Sequence, residues 1–381
     1  MKDKPVISLD GMGGDDAPKS VVEGAAQALE RRPDIRFIIY GDEALLCPLV
    51  NRHPALKEAA TLVHTEAVVA MDDPPAQALR KGRRVSSMWQ GIWAVKTGEA
   101  DAAVSAGNTG ALMAMGKVIL KTVPGVRRPV LAALWPNLKG IGVVLDLGAG
   151  VSQDVRQLVE SAVMGEAYAR VLLDKTRPRV GLLNVGVEGI KGTDSVREAA
   201  RILSENEDNL HLDFHGFVEG DDIGRGTVDV VVTDGFTGNV ALKTAEGTAR
   251  QFSEFLRNAI RQSIISRIGY VFARGAFGRL RDAFNPGSFN GAGMLGLKGI
   301  VVKSHGSADS AGYSFAILAA VRLVESDLAE NVKQAIQTLD HVVVDETGWG
   351  DRTDKGDKVN KADEIGGGQN GVYEKERKLA V

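Results

Sequence analysis

Two short segments carry residues whose types suit an anion. Ser105-Ala-Gly-Asn-Thr-Gly110 and Asp234-Gly-Phe-Thr-Gly-Asn239 set Asn108, Thr109, Thr237 and Asn239 beside Gly107, Gly110 and Gly238. Glycine lets a backbone turn sharply and bring its N–H groups close to an anion. A helix starting just after adds free N–H donors and its dipole. The same short polar side chains are good helix caps, so a structural role fits them equally. Lys191 lies between glycines in Glu188-Gly-Ile-Lys-Gly192, where an ammonium serves as a point charge for phosphate or as a solvated surface cation. Asp10, Gly13 and Gly14, with Lys303, Ser304 and His305, extend the set. The chemistry these residues allow is the holding of an anionic, phosphate-like ligand.

Other chemistries find less support. Cys47, the one cysteine, lies in the apolar run Leu45-Leu-Cys-Pro-Leu-Val50 and reads as a buried structural thiol rather than a nucleophile. No nucleophile elbow, Walker A loop or Cys/His metal spacing occurs, so neither a metal nor a cofactor is expected. Gly291, Gly293 and Gly296 spell G-x-G-x-x-G, but no strand precedes the match and a strand rather than a helix follows.

These residues need elements to position them, and one pattern recurs. Val6 to Leu9, Ala102 to Ser105, Val180 to Asn184, Val228 to Thr233 and Ile300 to Lys303 are strand-like runs. Each leads through a Gly-rich turn into a helix-period segment, the last of them from Asp309 to about Leu339. Alternating strands and helices predict an α/β/α sandwich around a largely parallel sheet, with five binding loops at one carboxyl edge. Length 381 and 44% hydrophobic content fit one large domain or two intimately joined ones, and with the recurring pattern they read as a single α/β domain over 1–345. The charged, Gly-rich stretch 346–381 reads as a disordered tail. Net charge of −3 gives no polyanion signal, so nucleic acid is not expected as a partner. The N-terminus enters a strand-like segment without a basic-then-apolar leader, and no apolar run spans a membrane, so the expected location is cytoplasmic.

Arg250 to Phe284 departs from the pattern. It holds seven Arg and two acidic residues, with apolar residues at helical spacing that include Ile264, Ile265, Ile268 and Phe272. Gly269, Gly275 and Gly278 predict two helices broken among these glycines. Such an amphipathic insertion suits an anionic membrane surface, a dimer interface or an acyl channel.

Taken in order, the motifs resemble one family. They are Leu9-Asp-Gly-Met-Gly-Gly-Asp15, Ser86-Ser-Met88, Ser105-Ala-Gly-Asn-Thr-Gly-Ala-Leu112, Val144-Leu-Asp-Leu-Gly-Ala149, Leu183-Asn-Val-Gly186, Gly216-Phe-Val-Glu-Gly220, Asp234-Gly-Phe-Thr-Gly-Asn-Val240 and Lys303-Ser-His-Gly-Ser307. Their order and spacing over about residues 5–342 are similar to the PlsX family, the phosphate acyltransferases of bacterial phospholipid synthesis. The chain departs from that family's usual residues at Gly150, Val187 and Thr193. The resemblance implies a fold of the phosphotransacetylase and isocitrate or isopropylmalate dehydrogenase type. It implies transfer of a long-chain acyl group from acyl carrier protein to inorganic phosphate, without a cofactor. It also implies a homodimer with peripheral membrane association, supplying a downstream membrane acyltransferase.

On that reading phosphate attacks the thioester directly, and the protein positions it and stabilises the oxyanion. Lys191 would clamp phosphate with N–H groups of the Gly107 to Gly110 loop. Asn239 would hold the thioester carbonyl or its oxyanion, and Asp234 would orient Lys191 or Asn239. Asp10, Gly13, Gly14, Ser105, Asn108, Thr109, Thr237, Gly238, Lys303 and His305 would complete the substrate site. The basic clusters Arg80-Lys-Gly-Arg-Arg84 and Lys121 with Arg127 and Arg128 would dock the acidic carrier protein. The competing readings are a phosphotransacetylase acting on acyl-CoA, a nicotinamide-dependent hydroxyacid dehydrogenase on a similar scaffold, and a non-catalytic membrane-binding protein.

Overall fold

The computed structural model describes residues 4–283, 290–326 and 328–347. Among the described residues, one compact unit reaches Val342. Helix continues to Thr347; the tail expected beyond residue 347 lies outside the described residues.

The strands are β1 (Val6–Asp10), β2 (Arg36–Gly41), β3 (Ala60–His64), β4 (Ala102–Ser105), β5 (Val130–Asn137), β6 (Gly140–Leu145), β7 (Arg179–Leu183), β8 (Asp213–Val218), β9 (Val230–Val232), β10 (Ala292–Leu295) and β11 (Ile300–Lys303). The helices are α1 (Lys19–Arg31), α2 (Glu43–Val50), α3 (Pro54–Ala59), α4 (Pro75–Gly82), α5 (Ser87–Thr97), α6 (Thr109–Leu120), α7 (Val155–Leu173), α8 (Asp194–Glu205), α9 (Glu207–Leu210), α10 (Gly220–Arg225), α11 (Gly235–Arg261), α12 (Ile264–Ala283), α13 (Ser310–Glu325) and α14 (Leu328–Thr347). The strands line up as β3-β2-β1-β4-β11-β10-β5-β6-β9-β7-β8. β4 and β9 are buried along their whole length, as expected of apolar runs in a sheet covered by helices on both faces. Short polar residues start the helices: Ser86, Asn108, Asp154, Asp234 and Asp309 each accept a backbone N–H from the first turn.

The sheet reverses direction at its middle. β1, β2, β3, β4 and β11 are mutually parallel, and β10 is antiparallel to both β11 and β5. β5 serves both halves: Val130 to Ala132 pair with β10, and Ala133 to Asn137 pair with β6. β6 runs back antiparallel to β5, and β9, β7 and β8 follow β6 in parallel. The register sets Ala292 opposite Lys303 and Val144 opposite Ala133. The carboxyl ends of the two parallel groups therefore face each other. This corrects the expectation of one loop-bearing edge: the loops come from two opposed edges, because β5 continues past the first edge before the chain turns back.

Two helix boundaries and one burial also differ from expectation. The break in the arm falls at Gln262–Ser263, not at the glycines. The Ser263 hydroxyl accepts the Ser266 N–H at 3.0 Å and starts α12, whereas a helix interior tolerates each glycine at about 1 kcal/mol. The helix expected from Asp309 to Leu339 is two, α13 and α14, with Asn331 donating to the Ser326 carbonyl at the joint. Cys47 is exposed on α2, its sulfur accepting from Asn51 at 3.2 Å. Its helix packs through Leu46 and Val50, which turns Cys47 outward.

Candidate functional site

The loops after β1, β4 and β11 form one wall of the crevice and lock onto each other. Asp15 N–H donates to the Gly306 carbonyl at 2.9 Å. Gly14 adopts φ +111°, and a Cβ on it would meet Ala106 Cβ at 3.0 Å. Beneath them Asp10 is buried, accepting the Ser87 hydroxyl at 2.6 Å and the Ser105 hydroxyl at 2.7 Å. Ser105 in turn accepts the Gly107 N–H at 3.0 Å, so the carboxylate shapes the β4 loop from below. Lys303 is 7% exposed and donates to the carbonyls of Ala106 and Ser304. Burial pushes its ammonium down to about 8, against the pull of Asp10 and Asp15. Burial likewise raises the Asp10 carboxyl, although both serines and Lys303 oppose it.

Asn108 caps α6 through Ala111 N–H, and its amide donates to the carbonyls of Met71 and Asp73 at 2.8 and 3.0 Å. Thr109 opens α6, and Gly110 leaves room for Pro75. His305 lies two residues past Lys303, its backbone N–H donating to Asn290 Oδ1 at 2.9 Å.

The loops after β6, β7 and β9 form the other wall. Asp146, buried at the end of β6, accepts the N–H groups of Leu131, Ala149 and Gly150 at 3.0, 2.9 and 2.8 Å. Gly235 and Gly238 let the start of α11 lie against this turn, where a Cβ would strike the Gly150 and Asp146 carbonyls. Asp234 caps α11, accepting both the N–H and the hydroxyl of Thr237 at 2.9 Å. Asn239, exposed, stands beside Gly148, and the Arg128 guanidinium lies beside Gly150. Lys191 is half-exposed and pairs with Glu188 at 2.9 Å, which raises its pKa. Asn184 holds the Lys191 carbonyl at 3.1 Å. Thr193, one of the three departures, still caps α8 by accepting Val196 N–H at 3.3 Å.

α11 leaves the second wall and reaches the first: Glu246 Oε1 lies 3.5 Å from His305 Nε2. Lys243, one turn earlier, pairs with Glu246 at 3.0 Å. Lys303 and His305 thus follow β11 with Lys243 of α11 near them, while Lys191, Arg128 and Asn239 lie on or against the loops of the other wall. Preorganised cations and N–H donors of this kind can hold phosphate and stabilise a developing oxyanion. Asp146, Arg128, Lys243 and Glu246 were not assigned to the site from sequence. Asp146 was visible inside Val144-Leu-Asp-Leu-Gly-Ala149, an acidic residue at the end of a buried run. Nothing local marked Glu246.

This fold is shared with phosphotransacetylases. The chain aligns with a phosphotransacetylase from Streptococcus pyogenes at TM-score 0.55 and 22% identity, covering 88% of this chain and 95% of that one. A branched-chain phosphotransacylase from Enterococcus faecalis aligns at TM-score 0.51 and 14% identity, covering 84% and 99%. These likenesses establish the fold. Residues 6–331 match the family model described as "Fatty acid synthesis protein", and the chain belongs to that family. A relative from Parvibaculum lavamentivorans, named phosphate acyltransferase, is 54% identical over 342 residues, covering 90% of this chain and 94% of the relative. One from Brucella canis, of the same name, is 53% identical over 335 residues, covering 88% and 96%.

Proposed function

We propose that the chain is a phosphate acyltransferase, moving a long-chain acyl group from acyl carrier protein to inorganic phosphate to give acyl phosphate for phospholipid synthesis. The observation that carries this reading is the facing of two carboxyl-end walls, with cations on both. One wall offers the β4 loop N–H groups and Lys303; the other offers Lys191, Arg128 and Asn239. Phosphate held by Lys191 and the Gly107 to Gly110 loop would attack the thioester carbon, whose oxyanion Asn239 would stabilise. Asp234 acts on Asn239 through the α11 start it caps, while Asp10 and Ser105 set the β4 loop.

The arm α11–α12 supports the lipid end. Ile264, Ile265, Ile268 and Phe272 are exposed, Phe272 at 87%. No helix among the described residues is long and apolar enough to cross a membrane. The arm would lie on the membrane surface, and its remaining apolar face would pack in a homodimer. Arg80, Lys81, Arg83 and Arg84, exposed around the end of α4, are the proposed dock for the acidic carrier protein. Of the second cluster, Arg127 is already tied to Asp154 at 2.8 Å.

The test incubates purified protein with long-chain acyl carrier protein and labelled phosphate, with acyl-CoA in parallel. Label in acyl phosphate with the carrier protein alone supports the proposal. Label with acyl-CoA alone supports a phosphotransacetylase, and no label with either refutes both.

A further inference from the structure

His305 is held in one tautomer. Its Nδ1 faces the Ser307 N–H at 3.2 Å and the Ser307 hydroxyl at 2.9 Å. A backbone N–H can only donate, so Nδ1 carries the lone pair and the ring proton of the neutral form sits on Nε2. Nε2 faces Glu246 Oε1 at 3.5 Å across the crevice. A hydroxyl, an imidazole and a carboxylate therefore stand in series, reaching from the β11 loop to α11. Around the ring, Glu246 and Asp15 favour its charged form, while Lys243 and Lys303 oppose it. Burial outweighs these and pushes the imidazole below its ordinary range, which leaves a neutral base at neutral pH.

The proposed reaction, on which this inference rests, has a proton to move. Monohydrogen phosphate carries one proton, the acyl phosphate dianion carries none, and the carrier departs as a thiol that needs one. We propose that Ser307, His305 and Glu246 form the relay that carries this proton from phosphate to the departing sulfur. As a phosphate oxygen bonds to the carbonyl carbon, the phosphate hydroxyl gives its proton to Ser307 Oγ. The serine's own proton passes to His305 Nδ1. Glu246, a positioning residue, keeps Nε2–H turned away and steadies the imidazolium. When the C–S bond breaks and its electron pair goes to sulfur, the proton returns through Ser307 to the thiolate. Ser307 is the catalytic residue that touches substrate, and the relay closes without another reactant.

The pH profile of kcat/KM for acyl phosphate formation reads the relay, because it reports the free-enzyme pKa. Glu246→Gln removes an anion from the ring and should move the His305 limb to lower pH. Lys243→Gln removes a cation and should move it to higher pH. Ser307→Ala should lower kcat/KM on the order of 10²-fold at neutral pH, with Ser307→Thr restoring it. A purely structural role would not give opposite displacements. Imidazole ¹⁵N shifts, with His305→Gln assigning the signal, read the tautomer without substrate. Coincident profiles, an Nδ1–H tautomer or full activity in Ser307→Ala would each overturn the relay. A wild type that forms no acyl phosphate would refute the proposed reaction instead, whatever tautomer is found.

Discussion

Gly238 presses its α-carbon against the carbonyl oxygen of Asp146, leaving no space for a Cβ. The contact brings the start of α11 onto the β6 turn and so sets Asn239 beside Gly148. Gly238→Ala must push the helix away from the turn. The expected cost is about 1–3 kcal/mol, the range for overpacking, read as a lower urea midpoint at unchanged slope.

Lys303 gives a pH signature. Its pKa is about 8 in the folded protein and about 10.5 when unfolded. Below pH 8 it is charged in both states, and its burial cost is fully present. Between 8 and 10.5 the unfolded chain holds the proton and the folded one does not, so stability rises with pH across that window. Relative to Lys303→Met, the wild type should gain on the order of 3 kcal/mol there, measured by denaturant titration at each pH. A flat difference would contradict the burial.

Lys191 is half-exposed and pairs through its side chain with the exposed Glu188. Lys191→Ala should leave thermal stability within about 0.5 kcal/mol, as for a surface position. Turnover should fall on the order of 10²-fold if the ammonium stabilises charge in the transition state. Near-normal acyl phosphate formation would remove Lys191 from the mechanism.

Ile264, Ile265 and Ile268 add apolar area to an arm whose exposed side chains bury little against the body. Replacing all three with Ser should abolish co-sedimentation with anionic liposomes while the melting temperature holds. Binding that persists with the dimer intact would refute the membrane reading.

Much of this was legible in the sequence because it is local. β4 and β11 fall where the apolar runs Ala102 to Ser105 and Ile300 to Lys303 place them. The family motifs marked Lys303 and Asn239 as candidates and the flanking glycines marked Lys191, and the structure sets their loops on facing walls. What stayed hidden depends on distant pairing. The reversal of the sheet is written in β5 meeting β10, a partner from far along the chain, and no periodicity reports that choice. Glu246 looked like one more acidic residue on a helix, and only the crossing of α11 brings it to His305. Counting glycines misplaced the break in the arm because one serine cap, Ser263, outweighed them.

β5 is a single strand with one half of the sheet paired to its first residues and the other half to its last. Its consequence is mechanical. No loop separates the two halves along this strand, so widening the crevice must bend or twist paired backbone from Ala132 into Ala133. A spine of this kind resists such bending and so holds the two walls at one spacing.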